Sequence, residues 1–201
     1  MGTLDLLAGI IGSDGHLSKQ QPAVYVINKN KRFLENTVKP LLEEFTNKQV
    51  KLKFRTDGFG KGNYWIQVYS PWLWKILIKK YRIPPGKKST IVEPPNLATN
   101  EEKIDFFRGW FAGDGSVTVD RKRPRLELWS KSRKLLKWFR EVLEQNGIES
   151  RIFYHKRKDQ YLLSIGRIGD VINFYEKIVI PHPEKQEKLK FLVSRFLPPA
   201  I

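Results

Sequence analysis

The sequence predicts an α+β fold in which one αββαββα unit occurs twice about a pseudo-twofold axis. Three observations carry this. The stretch LLAGIIGSDGH at residues 6–16 returns as FFRGWFAGDGS at 106–116: an apolar helix with small residues four apart that ends on Asp-Gly both times. After each acidic ending the same elements follow, namely a polar stretch, a short alternating strand, a polar-Lys-polar turn and an amphipathic helix. Between the copies, IPPGKKSTIVEPPNLATN carries prolines and a glycine that cannot continue a helix. The chain therefore divides into an N-terminal half at 1–82, a linker at 83–100 and a C-terminal half at 101–201.

The elements can be justified in order. In the first copy AVYVIN alternates as a strand and runs into Asn28-Lys29-Asn30. Apolar Phe33, Leu34, Val38, Leu41, Leu42 and Phe45 then fall at three- and four-residue spacing, one buried helix face. VKLKFRT, the glycine-rich DGFGKG and YWIQVYS read as a hairpin, and PWLWKILIKKY as the closing helix. The second copy supplies RLELWS, the turn Ser130-Lys131-Ser132, a helix with Leu135, Leu136, Phe139, Val142 and Leu143, the hairpin SRIFYHKRKDQYLLSIG and the helix GDVINFYEKIVI. A further helix over about 184–196 follows IPHP and caps the second half.

Composition narrows the partners. Lys and Arg number 37 against 21 Asp and Glu, for a net charge of +16 and a pI near 10.0. A field that positive calls for a polyanion. The basic residues fall in strand-like runs rather than in an amphipathic helix or polybasic tail, which favours nucleic acid over a membrane surface. No apolar run approaches the ~18 residues of a membrane span. The run LLAGIIG follows Asp5 without a basic segment before it, so a signal peptide is not expected and the chain reads as intracellular. The absence of cysteine excludes disulfides and thiolate metal sites. The three histidines, His16, His155 and His182, lack metal-ligand spacing and read as surface or DNA-facing groups.

The acidic endings need a physical reason, because a helix C-terminus is already negative. Gly9 and Ser13 in one motif, and Gly109 and Gly113 in the other, give each helix a nearly smooth stripe. Small-xxx-small stripes let two helix backbones cross closely. Asp14 and Asp114 then emerge side by side with terminal carbonyls, a poor place for an anion and a good one for a hard divalent cation. One GSDG alone is an ordinary helix-ending turn; two copies with matching surroundings are not explained by turn chemistry.

LAGIIGSDG at 7–15 and FRGWFAGDG at 107–115 resemble the paired signatures of LAGLIDADG homing endonucleases in their single-chain, two-motif form. The first acidic position of the family name is Gly12 in one copy and Ala112 in the other. The resemblance implies a saddle in which the motif helices form the central interface and each half lays an antiparallel sheet in the major groove of double-stranded DNA. It implies a monomer, Mg²⁺ as cofactor with Mn²⁺ as a substitute, and Ca²⁺ supporting binding only. Asp14 and Asp114 are the implied metal and catalytic acids, with the carbonyls of Ser13 and Gly113 as further ligands. Asn28, Lys29, Ser130 and Lys131 align with polar and basic groups around the catalytic water. Lys87, Lys88 and Lys185 are candidates for a further basic active-site residue.

Alternation then sorts the strands for a DNA face. Val50, Leu52 and Phe54 point to the core while Lys51, Lys53 and Arg55 point to the groove; Ile66 and Val68 go in, while Trp65, Gln67 and Tyr69 go out. Leu126 and Leu128 read as core, and Arg123, Arg125 and Glu127 as outward, with Tyr25 the counterpart of Glu127. Arg151, Phe153, His155 and Arg157 form a similar row. Two eight-residue strands end to end cover ~50–60 Å, about 15–18 base pairs. The expected activity is site-specific double-strand DNA cleavage. The chain starts on neither Cys nor Ser and lacks a His-Asn end, so an intron product fits better than an intein. A relative that no longer cleaves and acts as a splicing maturase or DNA-binding regulator is the alternative.

Overall fold

In a computed structural model, which describes residues 3–58, 61–86, 92–120 and 123–196, the central feature is a pair of crossed helices. Helix α1 (Leu4–Asp14) is capped by Thr3, whose hydroxyl accepts from Leu6 N. Helix α5 (Asn100–Asp114) has a full capping box between Thr99 and Glu102. A methyl group on Gly9 would lie 2.1 Å from Phe106 O, and one on Gly109 would lie 2.1 Å from Leu6 O. The absence of Cβ at these two positions is what lets the backbones touch.

Each helix runs straight into a sheet. Strands β1 (Gly15–Leu17), β2 (Ala23–Asn28), β3 (Leu52–Phe54) and β4 (Tyr64–Tyr69) form one antiparallel sheet in the order β1-β2-β4-β3. Strands β5 (Gly115–Asp120), β6 (Arg123–Ser130), β7 (Arg151–His155) and β8 (Gln160–Ile165) repeat that order as β5-β6-β8-β7. At the junctions Gly15 and Gly115 have ordinary extended backbone, φ −94° and −71°. They are needed for clearance, since a methyl there would fall 2.6 Å from Ile11 O and 2.4 Å from Phe111 O. The motif ending is therefore a tight pass from helix to strand rather than a left-handed helix stop.

Further helices cover the back of each sheet. In the first half these are α2 (Lys31–Phe33), a π-helical turn (Leu34–Val38), α3 (Lys39–Thr46) and α4 (Pro71–Lys79). In the second they are α6 (Arg133–Gln145), α7 (Ile168–Lys177) and α8 (Pro183–Val193). The π turn has a sequence cause. Buried Leu34 and Val38 are four apart, whereas their counterparts Leu136 and Phe139 are three apart, and a π turn absorbs one extra residue without breaking the buried face. The core is continuous through both motif helices. On the second side it is aromatic, with Phe107 5.2 Å from Phe139 and Phe111 5.3 Å from Phe174 between ring centroids.

The halves also exchange trailing segments. After α7 the chain crosses to the first half: His182 stacks on Phe33 at 4.7 Å, Thr37 Oγ1 donates to Pro181 O at 3.0 Å and Arg32 pairs with Glu187 at 3.0 Å. After α4 the chain does the reciprocal thing, and Ser132 Oγ on α6 donates to Val92 O at 2.7 Å. Lys80 at the end of α4 pairs with Asp5 at 3.2 Å and Glu102 at 2.8 Å, joining both motif helices. The Lys80 ammonium and the Thr99 and Ala98 amides hold the Glu102 carboxyl down to about 2. A carboxyl depressed in the fold stabilises it above its unfolded value and loses that contribution as pH falls through the folded one. The melting temperature should therefore fall between about pH 4.5 and 2, and Lys80→Met should flatten that fall in a calorimetric pH series.

Three expectations are corrected here. Strand β3 is only three residues long, and Phe54 is 52% exposed against Tyr64 instead of buried, because this end of the edge strand runs past the covering helices. Arg157 does not continue the β7 row: the strand ends at His155 and Lys156–Lys158 form a 3₁₀ turn. His182 is buried rather than DNA-facing, since the crossing segment lodges it against Phe33. Helix α8 does more than cap its own half, because that same segment carries it to the first.

Candidate active site

The crossing brings the two motif endings together. A methyl on Gly113 would lie 2.1 Å from Ser13 Oγ and 2.9 Å from Asp14 Cγ. Asp14 and Asp114 both act on the Lys185 ammonium, although each acid lines its own cavity.

Two cavities flank the helix pair. One, of about 630 Å³, holds Asp14, Asn28 and Lys29 from the first half and Gly113, Glu184 and Lys185 from the second. The other, of about 500 Å³, holds Asp114, Ser130 and Lys131 from the second half and Gly12, Ser13 and His16 from the first. Each cavity thus takes its acid and its polar-Lys turn from one half and its small motif residues from the other. The turns are placed by their neighbours: Asn30 and Ser132 leave the strands as N-caps of the next helices, each side chain accepting from an amide three residues on.

The cavities differ in chemistry. Asn28 Nδ2 donates to Asp14 Oδ2 at 2.6 Å, while Asn28 Oδ1 accepts from Asn30 N at 2.7 Å and fixes the amide's orientation. Lys185 Nζ donates to the carbonyls of Ala112 at 2.6 Å, Gly113 at 2.7 Å and Phe111 at 3.3 Å, closing the negative end of α5. Burial lowers the Lys185 ammonium to about 8 against the opposing pull of Asp14 and Asp114. Burial and the Lys185 charge lower the His182 imidazole to about 4, with a smaller opposing contribution from its own backbone. His182 is therefore neutral near pH 7.

The donors suit a hard divalent ion in one specific way. Among the described residues no three acids or histidines converge, so each cavity supplies one motif carboxylate, with Glu184 also lining that of Asp14. Mg²⁺ characteristically takes one or two carboxylates plus substrate phosphate oxygens and keeps several waters, which fits this sparse donor set. The Gly113 carbonyl is occupied by the Lys185 ammonium.

Residues 101–179 match the family described as LAGLIDADG-like domain. The fold matches the homing endonuclease I-DmoI in complex with DNA and Ca at a TM-score of 0.63, with 21% identity over 88% of each chain. The second half of the chain thus carries a LAGLIDADG-like domain, within a fold like that of I-DmoI. It is 24% identical over 192 residues to homing endonuclease I-ApeI of Aeropyrum pernix, covering 92% of this chain and 85% of that one. It is also 30% identical over 92 residues to a probable cell division protein WhiA of Symbiobacterium thermophilum, where the match spans 42% of this chain and 29% of WhiA.

Around the two motif helices, the residues expected at the site fall as follows. Asp14, Asp114, Asn28, Lys29, Ser130, Lys131, Ser13, Gly113 and Lys185 all line one cavity or the other. Lys87 and Lys88 lie outside the described residues; Gly86, just before them, lines the Asp114 cavity. On the outer faces Tyr25 is opposite Gln67 and bonded to it at 2.9 Å, and Lys53 lies 4.9 Å over the Trp65 ring. Glu127, Ser164 and Arg151 share one row across the second sheet. Lys51, Tyr69, Arg123, Phe153 and His155 are exposed, and Arg55 and Arg125 half-buried.

Sequence reasoning missed Trp129, Gln160, Asn63 and Glu184, which line the cavities. Trp129 had a signal: it shares the outward face with Glu127, beside the Ser130 turn, and Lys158 lies 4.1 Å over its ring. Glu184 had none, because only the crossing of α8 brings it in.

Proposed function

We propose that the protein is a site-specific double-strand DNA endonuclease of the homing type, encoded by an intron and acting as a monomer. The observation that carries this reading is the reciprocal make-up of the two cavities, which supplies two carboxylate centres from one chain. Relatives named as homing endonucleases, one of them in complex with DNA and Ca, and the net charge of +16 support it.

Asp14 and Asp114 would hold Mg²⁺, with the Ser13 carbonyl assisting. When bound, the ion supplies Lewis-acid stabilisation of the phosphoryl oxygen and a lowered pKa for the attacking water. Asn28 keeps the Asp14 carboxylate oriented, and Lys29 and Lys131 place point charges beside the scissile phosphates. Lys185 ties the end of α5 in position through three carbonyls. Both sheets present cations to phosphates and Gln67 and Glu127 to base edges in the major groove.

Selection of cleaved sites from a randomised duplex library in Mg²⁺ tests the reading, with Ca²⁺ as the control for binding without cutting. The expected product is one long site cut on both strands, bound in Ca²⁺ with a log K against log [salt] slope of about −6 to −9 for 6–10 neutralised phosphates. Tight, salt-dependent binding with no cleavage in Mg²⁺ or Mn²⁺ would instead favour a DNA-binding regulator.

A further inference from the structure

A cavity at the outer end of the second sheet has no part in cutting. It measures about 250 Å³ and lies where β7 opens at Arg151, where β8 ends near Ser164 and where the chain enters α7 through Gly166 and Arg167. Arg125, Arg151 and Arg167 line it, three guanidinium groups from three separate elements.

Two hydroxyls accompany them. Ser164 lines the cavity and is 7% exposed, in register with Arg151 on one side and Glu127 on the other. Ser150 lines it too, and its Oγ is buried with no hydrogen-bond partner in the protein. A buried hydroxyl left unmatched is costly, so these groups suit an oxygen-rich ligand. The ten-residue helix α7 starts at the same place with no side-chain cap on its first amides, which favours an anion there.

Two carboxylates share the wall. Asp170 Oδ1 accepts from Glu149 N at 2.8 Å, and Glu149 is bonded to Arg167. Both side chains of that ion pair are more than 60% exposed, so the pair is weak and readily exchanged for a better anion. Three cations against two anions leave the cavity net positive. Forked guanidinium donors with hydroxyls and helix amides match a tetrahedral oxyanion better than a planar group.

We infer that this cavity is a phosphate-binding site, built by Arg125, Arg151 and Arg167 with the hydroxyls of Ser150 and Ser164 at the start of α7. The phosphate comes either from the DNA backbone or from a free phosphate ion. The first source rests on the DNA-binding reading above. Ser130 lies five steps along β6 from Arg125, ~17 Å, so a backbone phosphate held here lies about five nucleotides from the cut bond on the side of the C-terminal half.

Two measurements on the full chain decide it. In the first, each phosphate of the selected site is replaced in turn by a neutral methylphosphonate and affinity is measured in Ca²⁺. One position, about five nucleotides out, should weaken wild-type binding by about tenfold and should not weaken Arg167→Gln or Arg151→Gln further. In the second, inorganic phosphate is titrated into DNA-free protein and the melting temperature followed. A rise in wild type that is absent in Arg167→Gln, without a sensitive backbone position, assigns the site to free phosphate. Arg167 is exposed, so its replacement leaves the core untouched, and Arg151→Gln gives a second variant at a separate element. The inference is overturned if no backbone position depends on these arginines and phosphate shifts neither variant differently from wild type. Should the wild type bind no duplex at all, the endonuclease reading fails, while the phosphate titration still decides the cavity.

Discussion

Asp14→Asn and Asp114→Asn are each expected to remove double-strand cleavage, slowing it by roughly a thousandfold or more, while Ca²⁺-supported DNA binding stays within about threefold of wild type. The size follows, on the proposed mechanism, from losing an anionic oxygen ligand at a centre whose ion would contribute several kcal/mol to the transition state. Asparagine is nearly isosteric and still accepts from Asn28, so the local packing at Asp14 survives. Affinity should survive because, on the same reading, the phosphates would be met by cations on the sheets, and one carboxylate fewer beside a phosphate opposes binding less. Strand-resolved cleavage assays make the test. Double-strand breaks at the wild-type rate from either variant would end the proposed function.

Gly9→Ala and Gly109→Ala should each destabilise the fold by about 3 kcal/mol or more, since overpacking a filled interior costs 1–3 kcal/mol when side chains can shift, and here the obstacle is backbone. The added methyl would sit 2.1 Å from a carbonyl oxygen of the facing helix, with an amide nitrogen 2.8 Å away, in both cases. For a chain of this size the melting temperature should drop by about 6–12 °C. Gly169→Ala is the control: nothing lies within 4 Å of a methyl there, so calorimetry should show no loss and a small gain from the less flexible unfolded chain. Both cavities straddle the helix crossing, so the Gly9 and Gly109 variants should also cut slowly below their melting temperatures. An unchanged melting temperature would mean that the helices do not cross where the structure has them.

Much of this architecture is readable in one dimension. The four-residue spacing of Gly9 and Ser13, and of Gly109 and Gly113, predicts a close helix crossing, and Gly9 and Gly109 make it by direct backbone contact. The paired order of elements predicts two like sheets, observed with the same strand order. Alternation correctly assigns Ile66, Val68, Leu126 and Leu128 to the interior. It fails at Phe54 because alternation tells which side a residue takes, not whether anything covers that side. It fails at Arg157 because three consecutive basic residues before Asp159, itself left-handed at φ 48°, form a turn that side-chain polarity does not distinguish from a strand end.

The sequence by itself determined the duplicated unit, the helix stripes and the two acids that end them, because these depend on local periodicity and on which residues lack a Cβ. Only the tertiary structure decided the rest. The exchange of trailing segments lodges His182 against Phe33, lays Lys185 on the carbonyls that close α5 and brings Glu184 beside Asp14. Those residues lie 72 or more positions from their partners in the chain, and nothing in the spacing of side chains along a helix or strand specifies which distant surface will meet them.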